Sequence, residues 1–190
     1  MWSEERIEAF LKENLDNKRY QHSLRVRDTS KNMAKHFGID ENKAAIAGLV
    51  HDCAKGFSAH ELINIVKKNG YKVNEVCEKS PQLLHGLAGA IIARDTMGIK
   101  DREIFNAVAY HTTGKKNMTL LEKIIYLADY IEPLRKYAGV EEIRELSYKN
   151  IDKAMIKSFD STIKYIIERG QMLHINTVEG RNYIIKTVGE

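Results

Sequence analysis

Apolar residues recur along this chain at intervals of three and four, the period of one face of an α-helix, and no alternating pattern persists long enough to read as a strand. Ser3 stands where it would cap a first helix whose Ile7, Phe10 and Leu11 share a face. A second helix reads from Asn17 to Phe37, with His22, Val26, Thr29 and Met33 on one stripe and Gly38 as its stop. Asp40 opens a third, carrying Ile46, Ala47, Val50, His51 and Ala54 inward, with Gly56 after it. Ser58 and Glu61 form a capping-box pair for a fourth helix that ends at Gly70. Ser80-Pro81 breaks the chain ahead of a small-residue helix from Leu84 to about Met97. Asp101 caps a helix with Ile104, Val108 and His111 on one face. Thr119 and Glu122 make a second capping box, for a helix stopped by Pro133. Glu141 to Arg169 reads as one long helix or two, with Met155, Phe159, Ile163 and Ile166 at helical spacing and Gly170 at its end. The tail, Asn176 to Val188, is ambiguous; its Tyr183-Ile184-Ile185 predicts that it packs back on the body.

These elements predict an all-α fold, one helical domain over residues 1–190 with no repeat or linker. A chain of 190 residues, 43% apolar and 29% charged, has the composition of a globular protein and is long enough to bury a core without disulfides. Only two prolines interrupt it, which leaves room for long helices. The formal charge of +4 suits an anionic substrate but falls short of the dense basic character of a dedicated nucleic-acid binder. No apolar run approaches the ~20 residues of a membrane span, and Met1 to Arg6 lacks the apolar stretch of a signal peptide. Cys53 and Cys77 make neither a disulfide framework nor a CxxC pair. A cytoplasmic protein without membrane partners is the expectation.

Four of the seven histidines, His22, His51, His85 and His111, fall on helix faces that otherwise read as buried. Asp52 follows His51 directly, and Asp129 sits in the apolar stretch Ile124 to Ile131. Neighbouring helical residues differ by about 100° in direction, so His51 and Asp52 cannot share a face; they can still converge on an ion lying beside their helix. Imidazole nitrogen and carboxylate oxygen together suit a divalent transition metal, and helical bundles build such sites from several helices. A lone histidine on an apolar stripe is more often a core residue bonded to a carbonyl, which is the plainer reading of His22 or His111 taken singly. A buried unpaired carboxylate costs several kcal/mol, so Asp129 needs a cation: a metal, or Arg135 or a lysine. His36, His60 and His174 read as surface or packing residues, and Cys53 as a small buried filler.

The order His22, then His51-Asp52, then Asp129 is that of the ligands in HD-domain phosphohydrolases, and the likeness goes further. The chain resembles the YqeK family of bacterial HD-domain proteins in Arg19-Tyr-Gln-His-Ser-Leu-Arg25, His51-Asp-Cys-Ala-Lys55, Leu84-His85-Gly86, Tyr110-His-Thr-Thr-Gly114 and Ile125-Tyr-Leu-Ala-Asp-Tyr-Ile-Glu-Pro-Leu-Arg135. These motifs run from about residue 17 to 135, and the C-terminal helices fit the family's length.

The resemblance implies an HD-type helical bundle with extra C-terminal helices and cleavage of diadenosine tetraphosphate into two ADP. It implies His22, His51, Asp52 and Asp129 as metal ligands, iron as the metal in one or two ions, and Asp52 as bridging carboxylate and catalytic residue. Ligand type alone also admits other divalent transition metals. His85 and His111 match positions that hold a second metal in binuclear relatives, or they donate hydrogen bonds to phosphate. Lys55, three residues after Asp52, projects to nearly the same side and could hold a phosphate or assist the leaving group; its bland alternative is a helix-end lysine. Arg135 is placed like a phosphate fork, or is a surface charge or the partner of Glu132. Thr112, beside His111, contacts phosphate or merely completes the helix end, and so does Thr113. Arg19 joins the substrate-binding set. A homodimer is compatible with all of this. Competing readings are an HD phosphohydrolase acting on (p)ppGpp or a nucleoside triphosphate, and a non-enzymatic helical protein that binds RNA or a partner.

Overall fold

A computed structural model describes residues 1–188 of the chain. Among them are eleven α-helices and no strand: α1 (Glu4–Asn14), α2 (Asn17–Phe37), α3 (Glu41–Val50), α4 (Ala59–Lys68), α5 (Glu75–Lys79), α6 (His85–Asp95), α7 (Arg102–Tyr110), α8 (Leu120–Ile131), α9 (Val140–Lys149), α10 (Ile151–Glu168) and α11 (Ile175–Val188). Ser3, Asp40 and Asp101 accept from backbone N–H groups in their first turns as expected, both capping boxes form, and Asp16, not singled out in the sequence, caps α2 in the same way. Gly38 ends α2 in the left-handed region at φ 68°.

Helix α8 is the axis of the bundle. Its Ile124, Ile125, Leu127 and Ala128 are fully buried, and it packs against α2, α3, α7 and α10. Around it, small residues let backbones come close. A Cβ on Gly89 of α6 would stand 3.3 Å from Cys53 Sγ and 3.5 Å from the His51 carbonyl oxygen. A Cβ on Gly86 would stand 3.0 Å from the Ala109 carbonyl oxygen. Helix α6 is thereby pressed against the turn after α3 and the end of α7, which brings His51, His85 and His111 to one place. On the other side, Phe159 of α10 is fully buried against Gly114, Gly180 and Tyr126. The Thr177 hydroxyl of α11 donates to the Thr113 carbonyl at 2.9 Å.

Helix boundaries differ from expectation at two places, and three segments left open or unread are resolved. Helix α3 ends at Val50, and His51 to Ala54 form a buried turn beyond it, because their backbone carries only short-range bonds such as Cys53 N–H to the Val50 carbonyl. The segment before Ser80, for which no element was expected, holds a short helix, α5, capped by Asn74. The helix expected from Leu84 is a 3₁₀ turn (Pro81–Leu84) followed by α6, which stops at Asp95. The last third, open as one long helix or two, is two helices broken at Asn150, with Met155 and Phe159 in the core and Ile163 and Ile166 half-buried. The ambiguous tail is helix α11, which packs on α10 through Thr177, Gly180 and Ile184, while Ile185 is exposed.

Candidate metal centre

Three of the four central histidines sit at helix junctions. His51 follows the last residue of α3, His111 follows that of α7, and His85 joins the 3₁₀ turn to α6. There a side chain can reach the carbonyl three residues back, which accepts no more than the histidine's own short-range backbone N–H. Nδ1 lies 2.7 Å from the Gly48 oxygen in His51, 2.5 Å from the Gln82 oxygen in His85 and 2.7 Å from the Val108 oxygen in His111. A carbonyl only accepts, so Nδ1 carries the proton and the Nε2 lone pair faces the site. His22 stands in the middle of α2, where the carbonyls are taken by the helix. Its Nδ1 instead lies 3.2 Å from Oε1 of Glu132, at the end of α8.

The Nε2 atoms and two carboxylates converge. Asp52 Oδ1 lies 3.0 Å from His85 Nε2 and 3.6 Å from His111 Nε2; its Oδ2 lies 3.5 Å from His51 Nε2 and 3.9 Å from His22 Nε2. Asp129 Oδ1 lies 2.9 Å from His22 Nε2 and 3.9 Å from His51 Nε2. Two overlapping groups, His22–His51–Asp129 and His51–Asp52–His111, each have ligand atoms within 4.8 Å of one another. Atoms bound on opposite sides of one ion at about 2.0–2.2 Å stand about 4 Å apart. The buried Nε2 atoms of His22 and His51 make no hydrogen bond to any group, and His85 Nε2 and His111 Nε2 face each other at 3.1 Å. Buried nitrogens without donors, and two lone pairs aimed at one point, are the signature of a site that takes a cation. The residues therefore fit a divalent transition metal.

The electrostatics agree. Burial alone would raise the Asp52 carboxyl, but the charge of His51 and the close approach of the His111 and His85 rings hold it well below the usual carboxylate range. Asp129 is likewise held low against its burial, by His22, His51 and Arg135. Burial pushes His111 down to about 4, so it stays neutral and ready to ligate at pH 7. Burial also pushes His51 down, but the charges of Asp52 and Asp129 outweigh it, and its pKa lies above the ordinary value. A cation entering here must displace protons.

A cavity of about 730 Å³ opens on this cluster. Arg19 Nη1 donates to Asp52 Oδ2 at 2.8 Å, and Arg135 Nη2 to Asp129 Oδ1 at 2.5 Å. Lys55 Nζ comes within 3.3 Å of His85 Nδ1, and burial lowers its pKa. The Thr112 hydroxyl lies 3.3 Å from both His85 and His111 Nε2. Arg19, Lys55, Thr112 and Arg135 thus surround the cluster of His22, His51, Asp52, His85, His111 and Asp129. The partner of Arg135 is Asp129, not Glu132. Glu132 is held by Arg25 Nε at 2.7 Å, by the Leu134 N–H at 2.8 Å and by His22. Thr113 turns its hydroxyl to the Gly114 carbonyl. His36 and His60 are exposed, and His174 is buried against Asn74.

Sequence reasoning missed Glu132 and Arg25, although both lie inside quoted motifs. It also missed the far wall of the cavity, Thr162, Lys164 and Tyr165 of α10. No motif marks that wall; only the packing of Phe159 brings α10 there.

Fold and site together define an all-helical protein with a His/Asp centre built to take a metal. Residues 19–134 match the family model described as HD domain. The chain is 35% identical over 175 residues to the symmetrical bis(5'-nucleosyl)-tetraphosphatase of Halalkalibacterium halodurans, covering 92% of this chain and 93% of that one. It is also 35% identical over 177 residues to the protein of that name in Bacillus subtilis (strain 168), covering 93% and 95%. A crystal structure described as a predicted HD superfamily hydrolase involved in NAD metabolism, from Clostridium acetobutylicum, is 49% identical and superposes with a TM-score of 0.97 over 98% of this chain and 99% of that chain. This chain belongs to the HD domain family and, within it, to the YqeK type. HD-domain hydrolases are metal-dependent, and the His/Asp groups here can bind a metal. No helix among the described residues is long and apolar enough to cross a membrane.

Proposed function

We propose that this protein hydrolyses diadenosine tetraphosphate symmetrically into two ADP, with iron as its metal, working as one domain in the cytoplasm. The observation that carries this reading is the convergence of four Nε2 atoms and two carboxylates beside Arg19, Lys55 and Arg135, in a chain alike over its length to relatives named for that reaction. Two buried free cysteines accord with a reducing compartment. Pairing of two chains is compatible with it.

His22, His51, Asp52 and Asp129 are the ligands we assign to the first ion. His85 and His111 either hold a second ion with Asp52 or donate to a phosphate. When bound, a divalent ion supplies Lewis acidity at a phosphoryl oxygen and acidifies the attacking water. The chain's own groups do the rest. Asp52, facing four histidines with its two oxygens, would hold the ion among them and so set its place relative to a bound phosphate. Arg19 and Arg135 offer their remaining N–H groups to the phosphate oxygens and offset their charge. Lys55, beside His85, donates a hydrogen bond to the oxygen that leaves as the P–O bond breaks. Thr112 donates to a neighbouring phosphate oxygen.

The product pair decides the reading. Iron-loaded protein is expected to give ADP as sole nucleotide product; AMP plus ATP, or no reaction while (p)ppGpp or a nucleoside triphosphate is consumed, overturns it. Retention of RNA by an inactive Asp52 variant would favour a binding protein instead.

The cations separate from the ligands in a second test. Lys55→Ala and Arg135→Ala should each keep the metal and lose roughly ten- to a hundredfold in kcat/KM, the equivalent of a charge-assisted hydrogen bond of about 1.5–3 kcal/mol. The loss should appear mainly in KM for Arg135 and mainly in kcat for Lys55. Unchanged kcat/KM at both positions would show that neither touches substrate.

A further inference from the structure

A second cavity, of about 990 Å³, lies on the other side of the same cluster. Arg19, Arg135 and Tyr137 line both cavities, so they form the ridge between them. Asp52, Asp129, His85 and His111 face the first cavity, and His22 faces the second. The Arg19–Arg135 ridge, with His22 behind it, therefore stands between two hollows, and the metal ligands lie close to both. Both volumes are of the size that takes a small organic ligand.

A symmetrical cleavage needs this arrangement. The bond that breaks lies at the middle of four phosphates, so an equal nucleoside diphosphate extends to each side of the reacting centre. A single pocket ending at the metal would hold one half and leave the other in water. We propose that the second cavity holds the second nucleoside diphosphate half of the substrate, across the Arg19–Arg135 ridge from the first; this rests on the reading given under Proposed function.

The chemistry of the groove fits a diphosphate. It carries Lys18, Arg19, Arg25, Arg135 and Lys136 against two carboxylates, Asp16 and Glu132. Both carboxylates are already engaged. Asp16 caps α2 by accepting from the Arg19 N–H at 2.8 Å, and Glu132 is held by Arg25 and His22. Lys18 and Lys136 are exposed and pair with no carboxylate among the described residues, which leaves them for phosphate. Leu134, 61% exposed at the groove's edge, offers an apolar surface to a base or ribose.

The ridge is fixed. Arg144 donates to the carbonyls of Ile131, Glu132 and Arg135 at 2.8, 2.9 and 2.8 Å, and the Tyr137 hydroxyl donates to the Tyr130 carbonyl at 2.9 Å. A rigid ridge holds the distance between the halves and so selects which phosphoanhydride bond lies over the metal ligands. The two hollows are unlike. Four tyrosines, Tyr126, Tyr130, Tyr137 and Tyr165, line the first, whereas the second shares only Tyr137 and is otherwise mostly charged. Stacking on tyrosine makes the first the tighter of the two.

The test is the number of ADP molecules bound per chain, by calorimetric titration of the metal-loaded full-length protein with ADP. The wild type should bind two, with different affinities. The double variant Lys18→Glu, Lys136→Glu changes only exposed side chains and should keep its thermal midpoint. It should bind one ADP, with KM for diadenosine tetraphosphate raised at least tenfold and kcat little changed. Tyr165→Ala should weaken the other, tighter ADP. One ADP per wild-type chain, or a double variant with unchanged stoichiometry and KM, overturns the second half-site. If the wild type makes AMP and ATP, the reading of the reaction fails instead, whatever the stoichiometry.

Discussion

Asp52→Ala is expected to leave the protein folded, nearly free of metal, and slower by about three decades in kcat/KM. Asp52 is the one side chain within 4 Å of the Nε2 atoms of all four central histidines, and its two oxygens face different pairs of them. Truncation removes the carboxylate that both ligand groups lean on and leaves Arg19 without its partner. Metal-ion catalysis supplies several kcal/mol of charge stabilisation in a transition state; about 4 kcal/mol at 1.36 kcal/mol per decade gives the stated loss. Asp52→Asn, which keeps the shape and removes the charge, should fall close to the Ala variant. Metal per chain by elemental analysis, kcat/KM on diadenosine tetraphosphate and a thermal melt make the check. A variant with full metal content and kcat/KM within tenfold of the parent would falsify the assignment of Asp52 as a ligand.

The helices were legible wherever a cap and a stop bracket an apolar stripe. Helices α1, α4, α7 and α8 begin at Ser3, Ser58, Asp101 and Thr119 because each supplies an oxygen to N–H groups that the helix itself cannot satisfy. What periodicity cannot register is a residue buried beyond a helix end. His51 to Ala54 continue the apolar stripe of α3 in sequence, but the chain leaves the helix at Val50. The turn is where the chemistry needs it, since it lets adjacent residues His51 and Asp52 face one point, which a helix forbids. The site's inner ring was legible from the order of His and Asp along the chain. Its outer supports were not, because Glu132 and Arg25 look like ordinary charges until the end of α8 is folded against α2. The tyrosine and lysine wall from α10 depends on one packing contact, Phe159 seated on two glycines, and no local pattern announces it.

Those outer supports have a measurable consequence at Glu132. Three of the central histidines satisfy Nδ1 with a local carbonyl, so their tautomer follows from secondary structure alone. His22 cannot, because it lies inside α2, and it depends on a carboxylate 110 positions away. Burial alone would raise the Glu132 carboxyl, but the Arg25 guanidinium, the Leu134 N–H and His22 hold it below the ordinary range, so it is an anion at neutral pH. An anionic acceptor on Nδ1 fixes the ring and makes Nε2 a stronger donor to a metal. Glu132→Ala should therefore weaken metal binding by about ten- to a hundredfold, the usual loss for such a support, and Glu132→Gln, which keeps an acceptor but not the charge, should fall between it and the parent. A purely structural role would look different. Arg25→Ala removes the same ion pair while leaving the His22–Glu132 contact, so it should lower the thermal midpoint about as much as Glu132→Ala yet change metal affinity far less. Metal titrations and thermal melts of the three variants separate the two. Losses of metal affinity that simply track the loss of stability across all three would mean that Glu132 holds the end of α8 against α2 and does nothing more for His22.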